Sequence, residues 1–441
     1  MARSAPSAPN AHHVAPTLPS VAPVVIAVMA GLVLVYALLA KRLDEANITS
    51  PMLSVAAGVV VFSASALDVD SAMVHLIAEL TLAIVLFHDA STVKITQLRH
   101  DTTIAARLLL IGFPLALLAT YLVTRAIEPA IGVAGAVLLT ASITPTDAGL
   151  GAATILDPEV PVRVRRGLNV ESGLNDGLAT PVVLLALAAL VAEEGGTEPT
   201  ILQVGVVPVV TALACAIVVS LAAAWCMDRS RIRHLSGHRG RAVATLALPL
   251  LLFGLADVIG ANVFITAFVG GLTFSAACIT VDEEEETTGL LEVAADLLGF
   301  VVWFMAGGLL LVVFDEGFEW SWLLLAILAL TVLRAIPVFL ALLGTGFRWP
   351  TVAFLGWFGP RGLATIVFAL LAVEELPADS PVVAPLAGVV AFTVTLSVLA
   401  HGLSAGPLSA RYGGWVSRTH APIEQLPSVE PLPTRGRRGG F

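Results

Sequence analysis

Apolar runs long enough to cross a lipid bilayer recur along almost the whole of this sequence. A helix that crosses the hydrocarbon core needs about 20 mostly apolar residues, because its backbone hydrogen bonds must be made internally. The composition agrees, since 57% of the residues are hydrophobic and only 13% are charged, whereas soluble domains carry about 25% charged residues. The short alternating segments typical of outer-membrane barrels are not seen. The chain is therefore predicted to be an all-α integral membrane protein.

Thirteen apolar segments are predicted as membrane spans, and together they form a transmembrane domain over residues 22–405. Residues 1–21 are rich in Ala, Pro and Ser and are predicted to be a disordered tail. Residues 406–441 are predicted to be a short, disordered cytoplasmic tail. The predicted spans are 22–41, 51–67, 72–90, 103–126, 131–155, 164–193, 201–227, 241–256, 262–278, 290–313, 320–344, 348–374 and 383–405.

The basic residues predict the orientation of these spans. If the amino terminus is outside and the loops alternate, most of the 23 Lys and Arg residues fall in inside loops or in the carboxyl-terminal tail. The positive-inside rule therefore predicts a multi-pass protein of the cell (inner or plasma) membrane, with the amino terminus outside and the carboxyl terminus in the cytoplasm. Arg334 and Arg361 stand apart, because both fall near the middle of predicted spans. A guanidinium at that depth needs an anionic partner or a water-filled cavity.

Two predicted spans contain helix-breaking residues at corresponding places. The fifth span is interrupted by Pro145 with Gly149, and the twelfth by the sequence Gly-Pro-Arg-Gly at 359–362. Paired interruptions of this kind are typical of transporters built from two inverted repeats, in which the broken helices cross near the middle of the membrane. Spans one to six and eight to thirteen would be the two repeats, and the seventh span would connect them.

The sixth span carries a concentrated group of polar residues inside an apolar run. If the span is helical, Ser172 and Asp176 share one face, while Glu171 and Asn175 share a neighbouring face. Ionisable groups at membrane depth are costly to place and usually mark a pathway or a site. The oxygens of Ser172 and Asp176 suit a small cation. The alternative is that these residues form hydrogen bonds between helices and only hold the bundle together.

A second acidic residue, Asp147, follows Pro145 and Thr146 in the interrupted fifth span. Proline removes a backbone donor, which frees nearby carbonyl groups to coordinate a cation. We therefore expect Asp147 and Asp176 to face each other and to bind a small cation or protons. A simple kink, with Asp147 capping the second half-helix, is the alternative and is compatible with the same site.

Other polar and reactive residues indicate less. His88 and Asp89 are expected at the membrane interface, and His401 is expected to be hydrogen-bonded structure. The sequence has no Gly-rich phosphate loop, so no nucleotide is expected, and we expect no cofactor and no nucleic-acid partner. The three cysteines show no metal-binding spacing and read as core residues: Cys215, Cys226 and Cys278.

The two polar stretches together resemble those of a known family. Ser142-Ile143-Thr144-Pro145-Thr146-Asp147, followed by Val170-Glu171-Ser172-Gly173-Leu174-Asn175-Asp176-Gly177, is similar to the paired motifs of Na⁺/H⁺ exchangers. These exchangers form the NhaP/NHE-like branch of the monovalent cation:proton antiporters. The resemblance includes Arg334, the Gly-Pro-Arg-Gly sequence at 359–362 and the thirteen-span plan. One departure is Ala148, which stands where the family usually has proline.

The resemblance implies a role for each residue of the site. Asp176 would bind the cation and the proton in competition, and the rest of the cation-binding set would be Asp147, Thr146, Ser172 and Asn175. Glu171 would form a structural ion pair, with Arg334 as the first choice of partner and Arg361 as the second. Glu79, in the third span, is a possible accessory ligand. The family forms homodimers in which a core bundle moves as an elevator against a dimerisation bundle.

The function predicted from these residues is secondary active antiport of Na⁺ (or Li⁺ or K⁺) against H⁺, with lipids and a second copy as partners, and no enzyme activity. Because Asn175 is neutral where electrogenic relatives have a second aspartate, an electroneutral exchange of one cation for one proton is expected. The alternatives are a K⁺/H⁺ antiporter and a cation channel or sensor without exchange. An intramembrane aspartyl protease is disfavoured, because no Gly-x-Gly-Asp sequence precedes Asp176.

Overall fold

The computed structural model describes residues 21–64, 71–93, 103–195, 206–283, 286–377, 379–419, 421 and 423–424. Helices account for most of these residues, and none of the residues described lies in a β-strand. A π-helix (Leu108–Gly112) lies between the helices Thr103–Arg107 and Phe113–Ile127, and a 3-10 turn (Pro129–Ile131) precedes the helix Gly132–Ile143. The α-helices are α1 (Val21–Glu45), α2 (Ser50–Ala64), α3 (Ser71–Thr92), α4 (Thr103–Arg107), α5 (Phe113–Ile127), α6 (Gly132–Ile143), α7 (Ala148–Ile155), α8 (Val162–Gly195), α9 (Val207–Ile232), α10 (His238–Val258), α11 (Val263–Ala277), α12 (Ile279–Glu283), α13 (Glu286–Glu316), α14 (Trp320–Leu330), α15 (Val332–Ala341), α16 (Trp349–Trp357), α17 (Leu363–Glu375) and α18 (Val383–Thr419).

The helices fit a multi-pass membrane protein. Within the described residues, nine stretches of helix are long and apolar enough to cross a membrane, and α2 and α11 are shorter apolar helices. Each of the thirteen predicted spans overlaps either one helix or two helices separated by a short interruption. The predicted all-α membrane fold is confirmed. The exact number of crossings and the inverted repeat stay predictions.

The fifth and twelfth predicted spans are interrupted where the sequence places proline. The break between α6 and α7 contains Pro145, and the break between α16 and α17 contains Gly359 and Pro360. Proline donates no backbone hydrogen bond and crowds the preceding turn, so the chain leaves the helix there. A further break, at Thr331 (φ −117°, ψ −93°), separates α14 from α15. The sequence does not predict this break, because no glycine or proline lies at that point.

The helices pack as two bundles. The first bundle contains α1 to α3 and α9 to α13, and the second contains α4 to α8 and α14 to α18. All three interrupted helix pairs belong to the second bundle. The helices α3 and α13 line the boundary: α3 packs against α8 and α17 of the second bundle, and α13 packs against α17 and α18.

The last helix is longer than the sequence predicts. The predicted span ends near residue 405, but α18 continues to Thr419. Tyr412 is buried, and its hydroxyl donates a hydrogen bond to Thr351 Oγ1 (3.0 Å) on α16. One face of the extension therefore packs on the second bundle, which explains why it stays helical. The prediction of disorder is wrong for this part of the tail, while the rest of that tail and the predicted amino-terminal tail lie outside the described residues, apart from a few positions.

Candidate functional site

The two proline-containing interruptions meet at Asp147. Its carboxylate accepts a hydrogen bond from Leu150 N through Oδ1 (2.6 Å) and from Leu363 N through Oδ2 (2.7 Å). Asp147 N donates in turn to Pro360 O (2.7 Å). The first N–H groups of a helix have no partner within the helix, and the helix dipole favours a negative charge beside them. One carboxylate thus caps both α7 and α17 and joins the two interruptions.

Gly362, the residue before α17, makes this double cap possible. A Cβ atom at this position would collide with the Asp147 carboxylate. The side chain of Asp147 therefore reaches Leu363 N only because residue 362 has no side chain. The interrupted segment of the twelfth predicted span supplies this space as well as the N–H donor.

Thr146, Ser172 and Asn175 form a hydrogen-bonded group beside the crossing. Thr146 Oγ1 lies 2.8 Å from Ser172 Oγ, and Asn175 Nδ2 donates to Thr146 Oγ1 (2.7 Å). All three side chains are buried. Asn175 Oδ1 is also buried and accepts no hydrogen bond from any described residue. The helix α8 thus holds the interrupted segment through Thr146 and retains one unpaired amide oxygen, which is rare in a protein interior.

Asp176 lies one helical turn after Ser172 and is only 5% exposed. Its charged neighbours are Asp147 and Asp89, both of which are acidic. Among the described residues, none donates a hydrogen bond to the Asp176 carboxylate, although its main-chain carbonyl accepts one from Thr180 Oγ1 (2.8 Å). A buried carboxylate without a donor or a basic partner is costly in its charged form. It is therefore suited to exchange a proton for another cation.

Asp89 is part of this acidic group, although the sequence predicts it at the membrane interface. Its Cβ lies where α3 packs closely on α8: a Cβ atom added to Gly173 would be 3.7 Å from Asp89 Cβ. The negative charge of Asp89 repels those of both Asp147 and Asp176. Asp89 Oδ1 also lies 3.2 Å from His88 Nδ1. The structure therefore adds Asp89 to the acidic group around Asp176, which the sequence does not predict. The sequence signal that could have found it is Gly173, because a small residue lets a neighbouring helix approach closely.

Glu171 faces Arg334, the first of its two predicted partners. Arg334 Nη2 donates to Glu171 Oε2 (2.8 Å), and Arg334 Nη1 contacts Glu171 Oε1. Glu171 is fully buried and Arg334 is nearly so. The bidentate geometry is the strong form of a carboxylate–guanidinium contact. This ion pair joins α8 to α15 within the second bundle. Glu171 precedes Ser172 in the sequence, but the ion pair does not involve the Ser172 hydroxyl group.

Arg361 is buried as well, but it bonds to main-chain carbonyls. Its Nε donates to Ile143 O (3.1 Å), its Nη2 donates to Ala329 O (2.9 Å), and its Nη1 contacts Gly359 O. Ile143 ends α6 and Ala329 lies in the last turn of α14, so the guanidinium caps the negative ends of two half-helices. Asp147 is the negative counterpart, since its carboxylate caps the positive amino-terminal ends of α7 and α17. The unpredicted break at Thr331 frees the Ala329 carbonyl for this contact.

His401 on α18 supports the same interrupted segment. Its Nε2 lies 3.0 Å from Trp357 O, and its Nδ1 lies 3.2 Å from Ser397 Oγ. Ser397 Oγ also accepts a hydrogen bond from Arg361 N (2.7 Å). His401 is thus held by hydrogen bonds and has a structural role, as the sequence predicts.

Glu79 is not brought to the site. It is paired with His75 on the same helix (Glu79 Oε1 to His75 Nε2, 3.3 Å). Ten residues separate it from Asp89 along α3, which corresponds to about 15 Å of helix. The predicted accessory role of Glu79 at the cation site has no geometric support.

Comparison with known proteins connects this site to a family. The transmembrane family described as "Sodium/hydrogen exchanger" matches residues 17–411. A "Na(+)/H(+) antiporter" of Schizosaccharomyces pombe is 24% identical over 320 residues, which is 63% of this chain and 65% of the yeast protein. The matched region therefore spans slightly less than two thirds of that relative.

Solved structures show the same fold. The sodium proton antiporter MjNhaP1 from Methanocaldococcus jannaschii, solved at pH 8, matches with a TM-score of 0.66 at 19% identity, over 89% of this chain and 99% of that one. A structure of the same antiporter from electron microscopy matches with a TM-score of 0.67 at 20% identity, over 88% and 97% of the two chains. Together with the family match over most of the sequence, this fold identifies the chain as a member of the sodium/hydrogen exchanger transmembrane family, a family of transporters and not of enzymes.

Proposed function

We propose that this protein is a secondary active antiporter that exchanges Na⁺, or Li⁺ or K⁺, for H⁺ across the membrane. The observation that carries the proposal is the Asp176 carboxylate, which is buried beside Asp147 at the crossing of two interrupted helices and receives no hydrogen bond from the described part of the chain. Both the yeast relative and the archaeal structure carry names that describe Na⁺/H⁺ antiport. That shared description supports the same substrates for this chain.

The site favours binding of one positive charge at a time. Asp176 has no basic partner among the residues that the structure describes, and Asp147 and Asp89 add negative charge around it, so an added cation or proton relieves the repulsion. The transported cation would be held by oxygens of Asp176, Asp147, Ser172 and Thr146, which is the ligand type that hard cations prefer. A proton on Asp176 removes the charge that attracts the cation. Cation and proton therefore compete for Asp176.

The contacts that hold the proposed cation ligands in place lie within the second bundle. Asp147 and Arg361 cap the interrupted helices, Glu171 and Arg334 join α8 to α15, and all of these contacts lie within that bundle. We infer that the second bundle is the elevator, which moves the site between the two sides, and that the first bundle is the scaffold through which two copies form a homodimer. The oxygens of Asp147, Thr146, Ser172 and Asp176 then move together, while the boundary along α3 and α13 changes and Asp89 stays with the scaffold.

The membrane and the orientation belong to the same proposal. We place the protein in the cell membrane with its amino terminus outside and its carboxyl terminus in the cytoplasm. The support is the position of Lys41 and Arg42 at the end of α1, and of Arg229 and Arg231 at the end of α9. These ends face the same side when the loops alternate, and basic residues are enriched on the cytoplasmic side.

An imposed cation gradient tests the proposal. Purified protein in vesicles containing a pH-sensitive dye should move protons when Na⁺ or Li⁺ is added on one side, and choline should have no effect. A response to K⁺ but not to Na⁺ would instead establish a K⁺/H⁺ antiporter. Cation flux without proton movement would show a channel, and peptide cleavage would show a protease. Either of the last two outcomes contradicts antiport.

We further predict that the exchange is electroneutral, because one carboxylate, Asp176, exchanges one proton for one monovalent cation while Asn175 remains neutral. An imposed membrane potential should therefore change the initial exchange rate by less than about twofold, whereas a potential of 100 mV acting on one net charge per cycle is worth about 2.3 kcal/mol. The measurement is the initial rate in vesicles whose potential is set by a potassium gradient and valinomycin, with Na⁺ as the exchanged cation. A steep dependence on potential would contradict the one-to-one exchange.

A further inference from the structure

A second cluster of ionisable groups lies where α3 meets α17. His75 and Glu79 are one turn apart on α3, and Glu374 is near the end of α17. His75 Nε2 lies 3.3 Å from Glu79 Oε1, and His75 Nδ1 contacts Glu374 Oε2. Asp257, near the end of α10, lies close enough to Glu79 for their negative charges to repel each other. The cluster thus combines one imidazole with three carboxylates from three helices.

This cluster is distant from the site at Asp176 and lies on the boundary between the bundles. The helix α17 begins at the site, where Leu363 N bonds to Asp147, and Glu374 lies eleven residues further along, which is about 16 Å. The helix α3 belongs to the first bundle and α17 to the second. The contact between His75 and Glu374 therefore joins the scaffold to the proposed elevator at the amino-terminal end of α3.

The hydrogen-bonding capacity of histidine makes this contact depend on a proton. A neutral imidazole has a single N–H group, so it donates to one carboxylate and presents a lone pair to the other. Both ring nitrogens of His75 face carboxylate oxygens. A second proton on the ring supplies the missing donor and a positive charge amid Glu79, Glu374 and Asp257. Histidine is the side chain that changes charge between about pH 5 and 8.

We propose that His75, with Glu79 and Glu374, is a second proton-binding site, and that a proton bound there holds the two bundles together at the outer end of α3. This inference rests on the proposed function, because the contact matters only if the bundles move against each other. A proton from outside would then be both a substrate at Asp176 and a brake at His75. Cation efflux into acid outside medium would then be slower than exchange at Asp176 alone would give.

Right-side-out membrane vesicles, loaded with ²²Na⁺ and held at fixed inside pH, test the proposal. The efflux rate is measured over outside pH 5.5 to 8.5 for the wild type and for His75→Gln and Glu374→Gln. Each variant is expected to exceed the wild-type rate by about threefold at pH 5.5, the order of effect of a partly exposed ion pair, and to match it at pH 8.5. His75→Lys, which is permanently charged, should be slowed at pH 8.5. His234→Asn, at an exposed histidine in a loop, is the control and should follow the wild type.

The outcomes separate this inference from the proposed function. If wild-type vesicles show no exchange at any pH, the proposed function fails. If the wild type exchanges but His75→Gln and Glu374→Gln keep its outside-pH profile, the second proton site is overturned. A second series varies inside pH at fixed outside pH, and a difference between the variants and the wild type that appears only in this series overturns the second proton site too. Gel filtration of each variant shows that it is folded, and the double variant should match either single variant because both remove the same contact.

Discussion

An Asp176→Asn variant should lose cation-driven proton movement by about 100-fold or more. Asparagine is nearly the same size as aspartate, but it carries neither the charge that attracts the cation nor a proton that exchanges at working pH. Each 1.4 kcal/mol of lost cation binding lowers affinity tenfold, so the loss of one buried charge is enough for this effect. The initial rate of Na⁺-driven pH change in vesicles is the measurement.

The same variant should not lose stability. Asp176 accepts no side-chain hydrogen bond from the described residues and lies beside two other acidic groups, so removing its charge relieves repulsion. Sites that need a buried charge commonly reduce stability for the sake of function. We therefore expect the melting temperature of Asp176→Asn to equal or exceed that of the wild type. A marked decrease, together with lost transport, would indicate that Asp176 is structural.

Asp147→Asn is the matched comparison. Asp147 accepts from both Leu150 N and Leu363 N, one through each oxygen, and asparagine has only one acceptor oxygen. One helix start therefore loses its cap, which costs about 1 kcal/mol. This variant should lose both transport and stability, in contrast to Asp176→Asn. Asp379→Asn, at an exposed position, controls for the effect of changing any aspartate and should leave both properties unchanged.

The fold was largely predictable because membrane helices obey a simple length rule. Apolar length locates the helices, and Pro145 and Pro360 locate two of the three breaks in the second bundle. The break at Thr331 was not predictable, because it depends on a tertiary contact: the Ala329 carbonyl accepts from Arg361, a residue of another span. The helical extension to Thr419 likewise depends on the packing of Tyr412 against α16. The length of an apolar segment does not predict such a contact.

The site was predictable where its residues lie close together in the sequence. Ser172 and Asp176 share one face of one helix, and the motif near Asp147 lies in the preceding span. Asp89 and Glu79 show the limit, since both lie on α3 and only the packing of Gly173 against Asp89 decides which one approaches the site. Composition gives an acidic residue on that helix, but not its distance from Asp176.

A Glu171→Gln variant should be strongly destabilised. The Glu171 carboxylate is bonded to Arg334 and also attracts the positive charge of Arg361. Its neutralisation therefore removes the negative charge that opposes both buried guanidinium groups. Removing one member of a buried ion pair costs about 3–5 kcal/mol. The expected result is loss of monodisperse protein after mild heating, measured by size-exclusion chromatography over a temperature series. If Glu171→Gln stays stable and loses only transport, Glu171 binds ions instead.

The partner variants give an asymmetry that tests the same contact. Arg334→Gln should be less harmful than Glu171→Gln, because the remaining Glu171 charge is still opposed by Arg361 nearby. In the double variant Glu171→Gln/Arg334→Gln the two amides can bond to each other, and only the guanidinium of Arg361 remains, which is bonded to carbonyls. The double variant should therefore regain most of the stability that Glu171→Gln loses, since removing both members of a buried pair is often nearly neutral. Additive losses in the double variant would contradict direct pairing, because residues in contact are expected to couple.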